Sequence, residues 1–148
     1  MTEIDNPVLI FTGSREFVPT YATPSAAGAD LRASLTSSVT LEPGDRRLVP
    51  TGISVAIPAG WEGQIRPRSG LSINKGVTLL NSPGTIDSDY RGELKVILIN
   101  LGEKAVVIEP GERIAQLVIS RSTTVDFKQV EKLPPSNRGT AGFGSTGK

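Results

Sequence analysis

Every apolar run in this 148-residue sequence is short, and turn residues cut each one off before a helix of ten residues can form. Val8-Leu9-Ile10-Phe11 opens the series. Ile53, Val55 and Ile57 alternate with Ser54 and Ala56, the period-two pattern of a half-buried strand. Val96-Ile97-Leu98-Ile99 is uninterrupted and β-branched, which predicts a strand buried on both faces. Ala105–Ile108 and Ile114–Ile119 complete the set. Between them stand two similar tetrads, Glu42-Pro43-Gly44-Asp45 and Glu109-Pro110-Gly111-Glu112, with Pro and Gly where a type II turn favours them. Each leads into arginine and an apolar strand (LEPGDRRLV at 41–49, IEPGERIAQLV at 108–118). An internal repeat of a β-arch and a shared turn solution both account for this. Only Gly70–Gly76 has the makings of a helical turn. Short strands with turn signals predict an all-β fold, a jelly-roll or β-sandwich-like barrel, over residues 1–131.

Residues 132–148 read differently. After Pro134-Pro135 comes RGTAGFGSTGK, in which Phe143 is the one large apolar side chain. Such a segment buries too little surface to offset its ordering entropy, so a flexible Gly-rich C-terminal arm is expected.

The chain has no cysteine and no histidine. That excludes disulfides, thiol nucleophiles, zinc–thiolate and iron–sulfur centres, imidazole ligands and the Ser-His-Asp triad. Acid–base chemistry is left to carboxylates, Tyr, Lys, Arg or water, and a divalent metal would be a hard, oxygen-held cation such as magnesium. With 16 basic and 15 acidic residues, no overall charge favours a nucleic-acid or membrane partner. The start, MTEIDNPVLIF, does not read as a secretory signal, and no apolar stretch approaches the roughly 20 residues of a membrane helix. A cytoplasmic protein is the expectation.

Four segments carry groups suited to chemistry. In NSPGTIDSDYRGE (81–93), Asp87 and Asp89 would project to one side of an extended chain, able to hold magnesium or to act as a base towards water; a polar turn with Arg91 neutralising an aspartate fits as well. Arg66-Pro67-Arg68-Ser69-Gly70 offers guanidinium, hydroxyl and backbone N–H groups to phosphate oxygens, or forms a solvated basic loop. Asp30, among the small residues of AAGADLR (26–32), can reach a metal-bound water or an arginine. Gln116 shares a face with Ile114 and Val118 by alternation, and a buried amide there needs a partner. The tail's GFGSTGK matches part of a P-loop, but the preceding strand and the helix after the lysine are missing, so that reading is set aside.

In combination these segments resemble the homotrimeric all-β deoxyuridine triphosphatase (dUTPase) family. The five family motifs are matched in order by AAGADLRA (26–33), RPRSGLS (66–72), GVTLLNSPGTIDSDYRGEL (76–94), GERIAQLVI (111–119) and RGTAGFGSTG (138–147). The resemblance implies a jelly-roll protomer in a trimer with active sites between subunits, hydrolysing dUTP to dUMP and pyrophosphate with Mg2+. Such an activity limits uracil incorporation into DNA and supplies dUMP for thymidylate synthesis.

By the same resemblance Asp87 is the base for the attacking water, and Asp30 holds the metal through water. Arg68, Ser69, Gly70 and Gln116 cradle phosphates. Asn81, Gly84, Thr85, Ile86 and the backbone near Lys95 form a uracil-binding hairpin, with Tyr90 under the deoxyribose. Arg138, Gly144, Ser145 and Thr146 reach the phosphates from the arm, and Phe143 covers the base. A same-fold dCTP deaminase would need a glutamate-centred site, which NSPGTIDSDYRGE fits less well. Phage members of the family that regulate a partner protein usually carry an insertion, and none is obvious here.

Overall fold

The alternating run around Ile53 is the middle of the longest strand in the chain, and it holds one of two facing sheets. The computed structural model describes residues 7–142. Their strands are β1 (Leu9–Thr12), β2 (Thr20–Tyr21), β3 (Ala29–Arg32), β4 (Val39–Leu41), β5 (Arg46–Ala56) and β6 (Trp61–Arg66), followed by β7 (Val77–Leu79), β8 (Gly84–Ile86), β9 (Glu93–Asn100), β10 (Val106–Ile108) and β11 (Arg113–Arg121). One helix, α1 (Ser69–Lys75), lies between β6 and β7, and a 3-10 turn at Arg15–Phe17 was not expected from the sequence.

One sheet runs β1-β5-β9-β7, the other β2-β3-β11-β6-β8, and β4 pairs with β10 in a separate ribbon. All pairings are antiparallel. Val49, Ile53, Val55, Val96 and Leu98 from the first sheet meet Leu31, Ile65 and Leu117 from the second, and Leu41, Val106 and Ile108 close the end. This is the expected all-β jelly-roll architecture. Among the described residues no helix is long and apolar enough to cross a membrane.

The two Pro-Gly tetrads make the same turn. Gly44 and Gly111 sit at φ 86° and 76°, and the residue-four N–H bonds the residue-one carbonyl in both, at 2.9 Å (Asp45 to Glu42) and 3.1 Å (Glu112 to Glu109). The acid at residue four also accepts the residue-one N–H, at 3.1 Å from Asp45 and 2.9 Å from Glu112. The strands leading into the turns, β4 and β10, pair with each other in antiparallel register, Val106 opposite Leu41 and Ile108 opposite Val39. The sequence repeat is thus a spatial pair of matching arches.

Two strand expectations need correction. In β9 the burial alternates: Leu94, Val96, Leu98 and Asn100 face the core, while Ile97 and Ile99 are half-buried on the outer face. The continuous apolar run therefore marks an outer face that is itself apolar, together with exposed Leu48 and Leu80. In β11 a bulge between Arg113 and Ala115 puts Ile114 and Ala115 both in the core, so Gln116 does not share a face with Ile114.

Helix α1 fits the Gly70–Gly76 expectation, shifted one residue towards the N-terminus. It buries Leu71 and ends at Gly76 in the left-handed region, φ 68°. A Cβ on Gly76 would also lie 2.6 Å from the Gly102 backbone, so this position has both a conformational and a steric need for glycine.

Candidate active site

β11 lies between β3 and β6, and Gln116 is in register with Asp30 on one side and Arg66 on the other. Three motif segments thereby meet at one cavity of about 670 Å³, lined by Asp30, Arg68, Ser69, Gly70, Arg113 and Gln116 among others. Asp30 is paired twice: its Oδ1 lies 3.0 Å from Arg68 Nε, and its Oδ2 accepts from Arg113 Nη1 at 3.1 Å. Both sequence readings of Asp30 remain chemically compatible, because each oxygen keeps a lone pair that can accept from water.

Gln116 is partly buried and donates through Nε2 to the Pro67 carbonyl at 2.9 Å, which fixes the strand-to-helix corner carrying Arg68 and Ser69. Gly28 makes this possible, since a Cβ there would overlap the Gln116 carboxamide. The two arginines of Arg66-Pro67-Arg68 part company. Arg66 turns back to Gln64 Oε1, at 2.6 Å from Nη2, and only Arg68 faces the cavity.

A second cavity, about 420 Å³, is lined by Thr85, Ile86, Asp87, Tyr90 and Lys95, with Leu48 among its apolar walls. Its residues lie around the connection from β8 to β9. This is not a simple hairpin, because β8 pairs with β6 in one sheet and β9 with β5 and β7 in the other. The chain crosses between sheets instead. Nor are Asp87 and Asp89 in extended chain: residues 87–90 form a turn closed by Tyr90 N–H on the Asp87 carbonyl at 3.1 Å. Arg91 does not neutralise an aspartate; its Nη1 donates to the carbonyls of Ser88 and Tyr90 at 2.7 and 2.9 Å. Asp87 is left exposed at the cavity.

The far end of this region is pinned to the core. Where β5 bulges between Pro50 and Ser54, the Gly52 N–H donates to Glu93 Oε1 at 3.0 Å, and buried Thr51 donates to the Leu94 carbonyl at 2.6 Å. Lys95 follows directly and is 3.8 Å from Glu93 Oε2.

The expected residues thus divide into two groups on separate cavities, with Asn81 and Gly84 lining neither. Gly84 is buried beside Asn81, whose Nδ2 would lie 3.2 Å from a Cβ at position 84. Arg138 is exposed and its Nε donates to the Ala141 carbonyl at 2.9 Å, away from both cavities. Phe143, Gly144, Ser145 and Thr146 lie outside the described residues. Arg113 was not expected at the site. Its signal was the adjacent apolar pair Ile114-Ala115, which breaks strict alternation and marks the bulge.

The dUTPase family model matches residues 15–147. A deoxyuridine 5'-triphosphate nucleotidohydrolase of Chlamydia pneumoniae is 57% identical over 132 residues, covering 88% of this chain and 90% of that protein. One from Fusobacterium nucleatum is 55% identical over 131 residues, with the same coverage of both. Among solved structures, the dUTPase of Staphylococcus bacteriophage 80alpha with dUpNHpp matches at a TM-score of 0.87 and 30% identity, over 97% of this chain and 99% of that one. A mutant dUTPase of S. aureus phage phi11, solved to describe coordination of a structural Mg(II) ion, matches at a TM-score of 0.75 and 25% identity, over 86% and 98%. With a family model spanning nearly all of it and relatives more than half identical, the chain belongs to the dUTPase family of dUTP-hydrolysing enzymes.

Proposed function

We propose that the chain converts dUTP to dUMP and pyrophosphate by attack of an Asp87-activated water on the α-phosphorus, at a site assembled from neighbouring copies in a homotrimer. The observation that carries this reading is the division of the motif residues between two cavities of one chain. A triphosphate cradle (Asp30, Arg68, Ser69, Gly70, Gln116) and a nucleoside end (Thr85, Ile86, Asp87, Tyr90, Lys95) each present half of what a nucleotide needs. Bringing one chain's cradle against another's nucleoside end completes a site. Exposed Leu48 and Leu80, with half-buried Ile97 and Ile99 on the outer face of the first sheet, supply apolar surface for such an assembly.

Within that site Asp87 takes a proton from water as its oxygen bonds to the α-phosphorus. The bond from the α-phosphorus to the bridging oxygen breaks, and pyrophosphate leaves with the electron pair. Arg68 and Gln116 hold the phosphates in line, and Arg138 of the arm neutralises charge on the leaving group. Backbone groups around Gly84–Ile86 and Lys95, with Asn81, match the uracil edge. A polar match of this kind rejects cytosine more strongly than an apolar pocket can. Tyr90 lies under the deoxyribose, where a 2′-hydroxyl would clash. Residues 132–148, with Phe143 on the base and Gly144, Ser145 and Thr146 at the phosphates, act as the arm that closes the site and excludes bulk water.

The donor set fits Mg2+ brought in on the triphosphate. Asp30 has lone pairs left for a metal-bound water, and among the described residues no cluster of three metal-ligating side chains competes for the ion. When bound, the ion supplies charge neutralisation of the phosphates. The reading includes a cytoplasmic location with the nucleotide pool, removal of dUTP before it enters DNA, and supply of dUMP for thymidylate synthesis; it includes no nucleic-acid or membrane partner.

Pyrophosphate release from dUTP, dCTP, dTTP and UTP, with and without Mg2+, tests it. The expected result is Mg2+-assisted release from dUTP, with kcat/KM about a hundredfold or more above the other three. Ammonia release from dCTP, or binding of dUTP without hydrolysis, would overturn the reading.

A further inference from the structure

We infer that Arg113 is a positioning residue of the phosphate cradle: it holds Asp30 in place and compensates its charge, so that Arg68 can turn its remaining N–H donors to the substrate's phosphates. The inference rests on the reading of Arg68 as a phosphate ligand and adds a residue to it.

Arg68 and Asp30 are in direct contact, with Nε 3.0 Å from Oδ1. The Nε–H is engaged by the carboxylate while Nη donors remain for a phosphate, so on binding the one guanidinium divides its attraction between Asp30 and the substrate. The Asp30 side chain is only 11% exposed. Were Arg68 its one partner, a phosphate drawing on that guanidinium would leave so enclosed a carboxylate poorly compensated, an unfavourable step. Arg113 prevents that situation. Its Nη1 donates to the other oxygen, Oδ2, at 3.1 Å, and this pair does not involve Arg68. Arg113 also accepts Arg68 Nη1 at its own carbonyl, at 3.4 Å, so both arginines and the aspartate form one connected group.

The backbone is shaped to put Arg113 there. Arg113 and Gln116 are three residues apart and would face opposite sides of a regular strand. The bulge between Arg113 and Ala115 restores parity, sending Ile114 and Ala115 to the core and leaving Arg113 and Gln116 on the same cavity. A bulge beside a site that re-aims one side chain is a recognised use of this irregularity. Arg113 is 45% exposed, so its substitution leaves the core untouched.

The test is a thermodynamic cycle read by calorimetric binding of the non-hydrolysable analogue dUpNHpp with Mg2+. Arg113→Gln is expected to weaken binding about tenfold, and Arg113→Lys, which keeps a charge for Asp30, to restore most of it. In an Asp30→Asn background no carboxylate charge remains to be held, and the same Arg113→Gln change is expected to alter affinity less than about twofold. A purely structural contribution would weaken both backgrounds equally. Equal losses in the two backgrounds, or no loss in the parent, overturn the inference. If instead Arg68→Gln leaves dUpNHpp affinity unchanged, the cradle itself is misassigned and the inference falls with it, a result distinct from failure at Arg113 alone.

Discussion

Gly92 lies directly beneath the phenol of Tyr90. A Cβ on Gly92 would overlap the Tyr90 hydroxyl and come within 3.1 Å of Cε2, while that hydroxyl donates to the Glu93 carbonyl at 3.1 Å. The ring is held by a hydrogen bond and by the absence of a side chain beneath it. Gly92→Ala must therefore move the ring, and should reproduce the effect of Tyr90→Ala on sugar selectivity. Both variants are expected to lower the ratio of kcat/KM for dUTP over UTP by about tenfold or more. Steady-state kinetics with the two nucleotides checks this, and an unchanged ratio in both variants would refute the sugar-gate role.

Asp87 follows β8 with its carboxylate exposed, and the arginine of its own segment, Arg91, donates to two carbonyls. Among the described residues no ion pair involves Asp87. A carboxylate outside any ion pair is open to accept a hydrogen bond from the attacking water and receive its proton in the reaction. Asp87→Asn preserves shape and hydrogen-bonding reach but removes that capacity. It should cut kcat by about a hundredfold or more while dUpNHpp affinity stays within about threefold. Near-normal kcat would remove Asp87 from the base role.

What the sequence could and could not disclose follows from the physics of each residue. The alternation at Ile53–Ile57 and the Pro-Gly turns were legible because side-chain parity and positive φ are local properties. The motif segments were legible as groups of chemistry-bearing residues. Their grouping into two cavities was not, since it depends on β8 and β9 belonging to different sheets, which no local pattern encodes. The opposite fates of Arg66 and Arg68 have the same origin: one is captured by Gln64, the other by Asp30 from a strand far away in sequence. Ile97 and Ile99 misled in an instructive way. An apolar residue on a strand reports only that its face meets something apolar, whether its own core or another molecule.

Asn100 is fully buried at the end of β9, and its polar atoms tie the turn after β4 to the loop after β9. Its Nδ2 donates to the carbonyls of Leu41 and Lys104 at 2.9 and 2.8 Å, and its Oδ1 accepts from Gly102 N–H at 2.9 Å. Its backbone N–H and carbonyl bond to Asp45 and Gly44 of the first Pro-Gly turn. Asn100→Ala leaves two carbonyls and an N–H without their partner, and the Leu41 carbonyl among them is at a fully buried position. A loss of about 2–4 kcal/mol is expected in denaturant unfolding. Asn100→Asp should be no better, because a carboxylate cannot donate to the two carbonyls. A loss below about 1 kcal/mol would show that the network has other ways to close.

The last strand ends at Arg121, and the hydrogen bonds described for residues 136–142 close within that segment: Gly139 to Ser136, Ala141 to Arg138, and the Arg138 side chain to Ala141. Nothing in those contacts supports the barrel, which has its core between the two sheets. Deleting residues after Pro135 should therefore leave the thermal midpoint within about 2 °C and the number of chains per oligomer unchanged. Activity is a different matter if Arg138 and the residues beyond it complete the site. The truncated chain is expected to lose about a hundredfold or more of kcat/KM for dUTP, and Arg138→Ala in the full chain to account for a large share of that loss. Full activity after truncation would contradict the arm's role, whereas a truncated chain that fails to fold would show that 136–148 belongs to the barrel after all.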